Sequence, residues 1–146
     1  MKTSAKDFFT PEEEAQILQA ILEAEKNTSG EIRVHLELFF KGDLMDHAVY
    51  IFNKLGMHKT ALRNGVLFYI GLKNRQFAIL GDQGINQVVP PGFWDRISDY
   101  MREEFAKGKF FEGLTQGILL AGEQLKAHFP IQADDRNELS NDISFS

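Results

Sequence analysis

The stretch "NGVLFYIGL", residues 64–72, constrains this chain most, because every position from Gly65 to Leu72 is apolar or aromatic apart from two glycines. It is too short for a buried helix and is bounded by an Asn-Gly pair and a Lys-Asn-Arg run. A short continuous apolar run between turn signals reads as a central strand covered on both faces. "KNR" at 73–75 then makes a turn, and "QFAILG" at 76–81 reads as the returning strand of a hairpin.

The rest of the chain must supply the covering layers. "TPEE" predicts a helix starting at Thr10, with Thr10 as N-cap, Pro11 in the first helical position and Glu13 as capping-box partner. Ile17, Leu18, Ile21 and Leu22 recur at helical spacing before the break at 27–30. Residues 31–39 alternate: Ile32, Val34, Leu36 and Leu38 are apolar, while Glu31, Arg33, His35 and Glu37 are ionisable. That alternation predicts a strand whose polar side, beyond Glu31, is the wet face of a sheet edge. Asp43 is placed to cap a helix carrying Leu44, Ala48, Ile51, Phe52 and Leu55 on one stripe. "DQGINQVVPPG" reads as a loop, with two successive prolines barring regular structure. Phe93, Ile97, Met101 and Phe105 share the face of a further helix that Gly108 closes. The last helix, about 110–128, carries a second stripe of Gly113, Gly117 and Ala121. Each interior glycine costs about 1 kcal/mol, so close packing against a neighbouring element is expected there.

The resulting order is helix, strand, helix, strand, strand, helix, helix. The long crossover allows the first two strands to be parallel neighbours, and the hairpin makes the third antiparallel. The expected fold is α/β: a small mixed β-sheet sandwiched between α-helices, an α/β/α sandwich. Residues 1–130 form its one domain. Residues 131–146 form a polar tail expected to be disordered.

At 146 residues the chain can bury ~70% of its unfolded surface without a disulfide or structural metal. The absence of Cys excludes thiol catalysis and a Cys-based zinc site. The net charge is −5, of which the tail supplies −3 through four acids and one base. No clustered basic face emerges, so no nucleic acid is expected as a partner. With no apolar leader and no run of about 18 apolar residues, the expectations are no membrane insertion and a cytoplasmic location. A monomer is expected, with room for a protein partner that the sequence does not identify.

Topology brings distant groups together. With the first two strands parallel and the third reversed, Glu31, Asn64 and Asp82 fall on one rim of the sheet, with Asp95 close by in the next helix's first turn. Carboxylates and an amide oxygen are the hard ligands that Ca²⁺ and Mg²⁺ prefer. The plainer alternative makes Asp82 a turn cap, Glu31 a solvated side chain and Asn64 a strand start. No nucleophile elbow, phosphate loop or dinucleotide fingerprint is present.

These segments also carry a resemblance. "SGEIRVHL", "IFNKLGMHKTALRNGVLFYIGLKNRQFAILGDQGI" and "FAKGKFFEGLTQGI" resemble, in order and spacing, the motifs of the TPM-domain family. That family includes thylakoid-lumen proteins, a photosystem repair factor, a receptor auxiliary subunit and many bacterial proteins. The similarity covers about residues 8–129. It implies an α/β/α sandwich, divalent-cation binding in an acidic cleft, and the acid phosphatase activity proposed for some plant members. Glu31 and Asn64 fall on matching motif positions. Asp82 departs from the commoner G-Y-G-L pattern, and the exported or membrane-anchored character of many relatives is not matched. With the resemblance added, Glu31, Asn64, Asp82 and Asp95 are the expected ligands of a divalent cation, Ca²⁺ or Mg²⁺. A metal-assisted phosphatase, with Arg63 or Arg75 orienting phosphate, is the alternative. A further alternative is a protein-interaction module presenting Phe93 or Trp94.

Overall fold

The structure is a computed structural model and describes residues 4–131 and 138–146. Its centre is a four-stranded mixed sheet in the order β3-β2-β1-β4. Strand β1 spans Glu31–Glu37, β2 Gly65–Gly71, β3 Gln76–Gly81 and β4 Ser144–Phe145. β1 and β2 are parallel, in the register Glu31 to Gly65, and β3 returns antiparallel with Val66 opposite Gly81.

The helices are α1 (Pro11–Glu25), α2 (Leu44–Lys54), α3 (Gln83–Asn86), α4 (Asp95–Ala106) and α5 (Phe110–His128). The capping box forms as its sequence dictates: Thr10 Oγ1 accepts the Glu13 amide at 3.1 Å, and the Thr10 amide donates to Glu13 Oε1 at 2.9 Å. Asp43 caps α2 by accepting the Asp46 amide at 2.9 Å.

Every residue of β2 is buried, and its two faces belong to two different cores. Val66, Phe68 and Ile70 join Ile32, Val34 and Leu36 in the core covered by α1, α4 and α5. Leu67 and Tyr69 join Ala48, Ile51 and Phe52 of α2 on the other side. The protein is thus an α/β/α sandwich. The glycines of α5 serve helix–helix approach: a Cβ on Gly117 would meet Met101 of α4 at 2.5 Å, and one on Gly122 would meet the Ala24 carbonyl oxygen of α1 at 2.6 Å. Among the described residues, no helix is long and apolar enough to cross a membrane.

Four expectations are corrected. The presumed loop after β3 contains α3, because Asp82 caps it and accepts the Gln83 amide at 2.8 Å. Strand β1 is not an edge: the tail's β4 pairs parallel to it, His35 opposite Ser144 and Leu36 opposite Phe145. Hence the tail expected to be disordered is, over 138–146, an ordered part of the fold; residues 132–137 lie outside the described ones. Finally, the polar side of β1 is not wet throughout, since His35 is only 3% exposed and stacks on Tyr69 at 5.8 Å between ring centres.

Candidate functional site

At the rim where β1 and β2 begin and β3 ends, three polar side chains are buried: Glu31 (4% exposed), Asn64 (1%) and Asp82 (6%). The parallel register and the hairpin place them together, as the topology requires. The Glu31 amide donates to the Asn64 carbonyl at 3.4 Å, and the Asp82 amide donates to the Gly65 carbonyl at 2.9 Å. Adjoining backbone therefore links all three positions.

Each side chain has defined partners. Glu31 Oε1 accepts the amides of Glu138 and Leu139, both at 2.7 Å. Asn64 Nδ2 donates to Ser29 Oγ at 3.4 Å, and its own amide donates to Thr60 Oγ1 at 3.3 Å. Asp82 accepts a two-pronged bond from Arg63, Nε to Oδ2 at 2.7 Å and Nη2 to Oδ1 at 2.8 Å. Such planar fork-to-carboxylate pairs are among the stronger charge-assisted bonds. Arg63 reaches Asp82 from a left-handed backbone conformation, φ 51°. The Gly84 amide donates to the Arg63 carbonyl at 2.9 Å, and a Cβ at Gly84 would run into the carbonyls of Leu62 and Arg63. Glycine is needed there for this close approach, which holds Arg63 in place.

Asp95 is not one of the buried members of that set. It is exposed at the start of α4, directly after Trp94, whose indole nitrogen lies 3.3 Å from the Cβ position of Gly81. Among the described residues, no group of three or more His, Asp or Glu is arranged as a metal cage. The donor chemistry of the rim suits a hard cation. Its arrangement does not present a ready shell, because Arg63 and the Gln83 amide already engage both oxygens of Asp82.

Two groups were missed in the sequence. Glu25, the last residue of α1, accepts the Ile32 amide on Oε2 at 2.7 Å. Burial pushes its carboxyl up to about 7; the Ile32 bond opposes the shift and the charge of Glu31 adds to it. The available signal was an acid in a helix's last turn, where the dipole disfavours it. His35 is the second. Its Nδ1 lies 2.7 Å from Ser144 Oγ and its Nε2 lies 2.6 Å from Ser146 Oγ, which also donates to Glu37 Oε2 at 2.6 Å. That chain of bonds is consistent with a neutral ring donating from Nε2 and accepting at Nδ1. Burial holds its pKa down to about 4, against the opposing pull of Glu37.

The candidate aromatic anchors are half-buried. Phe93 and Trp94 pack edge to face at 4.7 Å between ring centres, and Phe93 meets His128 at 5.4 Å. Arg75 lies on the hairpin turn at the far end of the sheet from Asp82.

Residues 3–124 match the model of the TPM domain. The chain is similar to the BA42 protein of the psychrophilic bacterium Bizionia argentinensis, whose structure was solved by NMR. The two are 46% identical with a TM-score of 0.90, over 98% of this chain and 99% of that one. It also resembles the N-terminal domain of a protein from P. gingivalis, at 22% identity and a TM-score of 0.67, over 84% of this chain and 80% of that one; this likeness concerns the fold alone. No curated protein shows significant similarity to the chain.

Proposed function

Because the chain belongs to the TPM-domain family, we propose that the rim at Glu31, Asn64 and Asp82 binds a divalent cation, Ca²⁺ or Mg²⁺, with Arg63 as a built-in competitor for Asp82. The observation that supports this reading is the gathering of two buried carboxylates and an amide at one rim, the hard oxygen donors that such cations take. The Arg63 side chain is 37% exposed, so it has room to swing into solvent and release Asp82. Asp95, exposed nearby on α4, would be an outer carboxylate of the set. The irregular donor arrangement suits Ca²⁺ better than Mg²⁺, which demands near-octahedral geometry. Displacing a guanidinium lowers the net gain, so the affinity belongs to the weak class, about 10⁻⁴–10⁻³ M.

The test is a Ca²⁺ and Mg²⁺ titration followed by amide NMR. Saturable shifts are expected at residues 30–32, 62–66 and 81–86. Asp82→Asn should weaken binding by about tenfold, whereas Arg63→Gln should tighten it, because one competitor of the cation is gone. Shifts confined to other acidic surfaces, or weakened binding in Arg63→Gln, would reject the reading.

A second reading, metal-assisted phosphate-ester hydrolysis, is favoured by the left-handed backbone of Arg63. Non-glycine residues held in such conformations cluster at functional sites. With Asp82 occupied by a cation, the released guanidinium would be free to orient a phosphoryl group. Aryl phosphate hydrolysis that is metal-dependent and lost in both Arg63→Gln and Asp82→Asn would support it.

A further inference from the structure

The far end of the sheet is chemically the reverse of the rim. A half-open cavity of about 1110 Å³ lies where the β2–β3 hairpin meets the end of α4 and the start of α5. Its wall is aromatic: Phe8 meets Phe110 edge on at 5.2 Å, Phe110 stacks on Phe105 at 4.4 Å, and Phe105 meets Phe77 at 5.3 Å. All four rings are only half-buried, although they adjoin the main core.

Cations stand at its mouth. Lys73, Arg75 and Arg102 line the cavity against a single acid, Asp43, in a chain of net charge −5. Asp43 is engaged in capping α2, and Arg102 pairs with Asp99 at 2.9 Å. Among the described residues, neither Lys73 nor Arg75 has an acidic partner within salt-bridge distance.

The turn that carries these two cations is pinned. Asn74 Oδ1 accepts the Phe40 amide at 3.0 Å, and Asn74 Nδ2 donates to the Phe40 carbonyl at 2.9 Å. Arg75 itself holds φ 55°, a conformation that Gly or Asn adopts at lower cost. A rigid turn bearing a basic residue in a disfavoured conformation, above an aromatic wall, is a preorganised anion-and-ring receptor.

The geometry points to this cavity as a binding site for a small aromatic anion, with its ring against Phe105 and Phe110 and its charged group between Lys73 and Arg75. The site is independent of the cation rim. The probe is phenylphosphonate, which cannot be hydrolysed as an ester, compared with inorganic phosphate and with phenol on the full chain by amide NMR. Saturable shifts are expected at 42–44, 71–77 and 105–110, with affinity at least about tenfold above that of either half-molecule. The exposed-site double variant Lys73→Gln/Arg75→Asn should lower that affinity at least fivefold while leaving Tm unlowered, since Asn tolerates the left-handed conformation. Equal binding of inorganic phosphate, shifts centred on Arg63 and Asp82, an unaffected double variant, or no saturable shift would each overturn the proposal.

Discussion

The amide of Leu139 donates to Glu31 Oε1 at 2.7 Å, closing a contact between residues 108 apart in sequence. The Glu138 amide makes the same contact, and Glu138's carboxylate in turn accepts the Ala61 amide at about 3.2 Å. The tail then runs along β1, the Ser146 amide donating to the Leu36 carbonyl at 3.0 Å and the Leu38 amide donating to the Ser146 carbonyl at 2.8 Å. It thereby covers both the candidate rim and the otherwise open edge of the sheet.

Truncation after Ile131 should therefore do more than shorten the chain. Glu31 loses two amide donors and β1 becomes an edge, which costs about 1–3 kcal/mol of stability. His35, uncovered, should titrate nearer its ordinary value than the about 4 it has beneath Ser144 and Ser146. Urea denaturation and the His35 ring resonances measure the two effects. An unchanged His35 titration would show that the tail does not cover it in solution.

Glu25 gives a pH dependence of definite sign. Its folded carboxyl titrates at about 7 against 4.5 for the free side chain. Its contribution is intact below pH 4.5 and is lost as pH rises through 7, by about 3 kcal/mol at most. Gln keeps an oxygen for the Ile32 amide and carries no charge. Glu25→Gln should thus stabilise the protein at pH 8 by about 1–3 kcal/mol and have little effect at pH 4.

His35 acts with the opposite sign over nearly the same window. Its folded value of about 4 lies below the ordinary 6.5, so its contribution is complete above pH 6.5 and is lost as pH falls through 4. Between about pH 4.5 and 6.5 the two slopes offset each other, and the wild type should show a flat stability profile there. In Glu25→Gln that offset is gone, so acidification from pH 6.5 to 4 should destabilise the variant by about 2–3 kcal/mol. A variant profile as flat as the wild type's would mean that His35 is not held neutral by burial.

What could be read in the sequence had local causes. The apolar run of β2, the Thr10–Glu13 capping box and the hairpin depend on neighbours a few residues away, and each formed where its pattern placed it. The shared rim of Glu31, Asn64 and Asp82 also followed, because strand direction alone determines which ends meet. The partners of those side chains did not follow. Arg63 reaches Asp82 only through a left-handed backbone held by Gly84, and no spacing rule encodes that. Strand β4 is two residues long, Ser144–Phe145, too short to show an alternating pattern. His35 was read as wet because the strand that covers it lies more than a hundred residues downstream.

The α1–α5 contact yields the last prediction. At Gly122 an added Cβ meets the carbonyl oxygen of Ala24 at 2.6 Å and its Cα at 2.7 Å, both backbone atoms of a capped helix. At Gly117 the obstacle is the Met101 side chain, with Sδ at 2.5 Å. A thioether with three rotatable bonds can move aside, whereas the α1 backbone moves only with the whole helix. Alanine also recovers about 1 kcal/mol of helix propensity at either position. Gly122→Ala should therefore destabilise by about 1–3 kcal/mol net of that gain, while Gly117→Ala falls near neutral. Thermal unfolding of the two variants side by side separates them; equal Tm values would mean that the α1–α5 spacing is looser than the 2.6 Å approach requires.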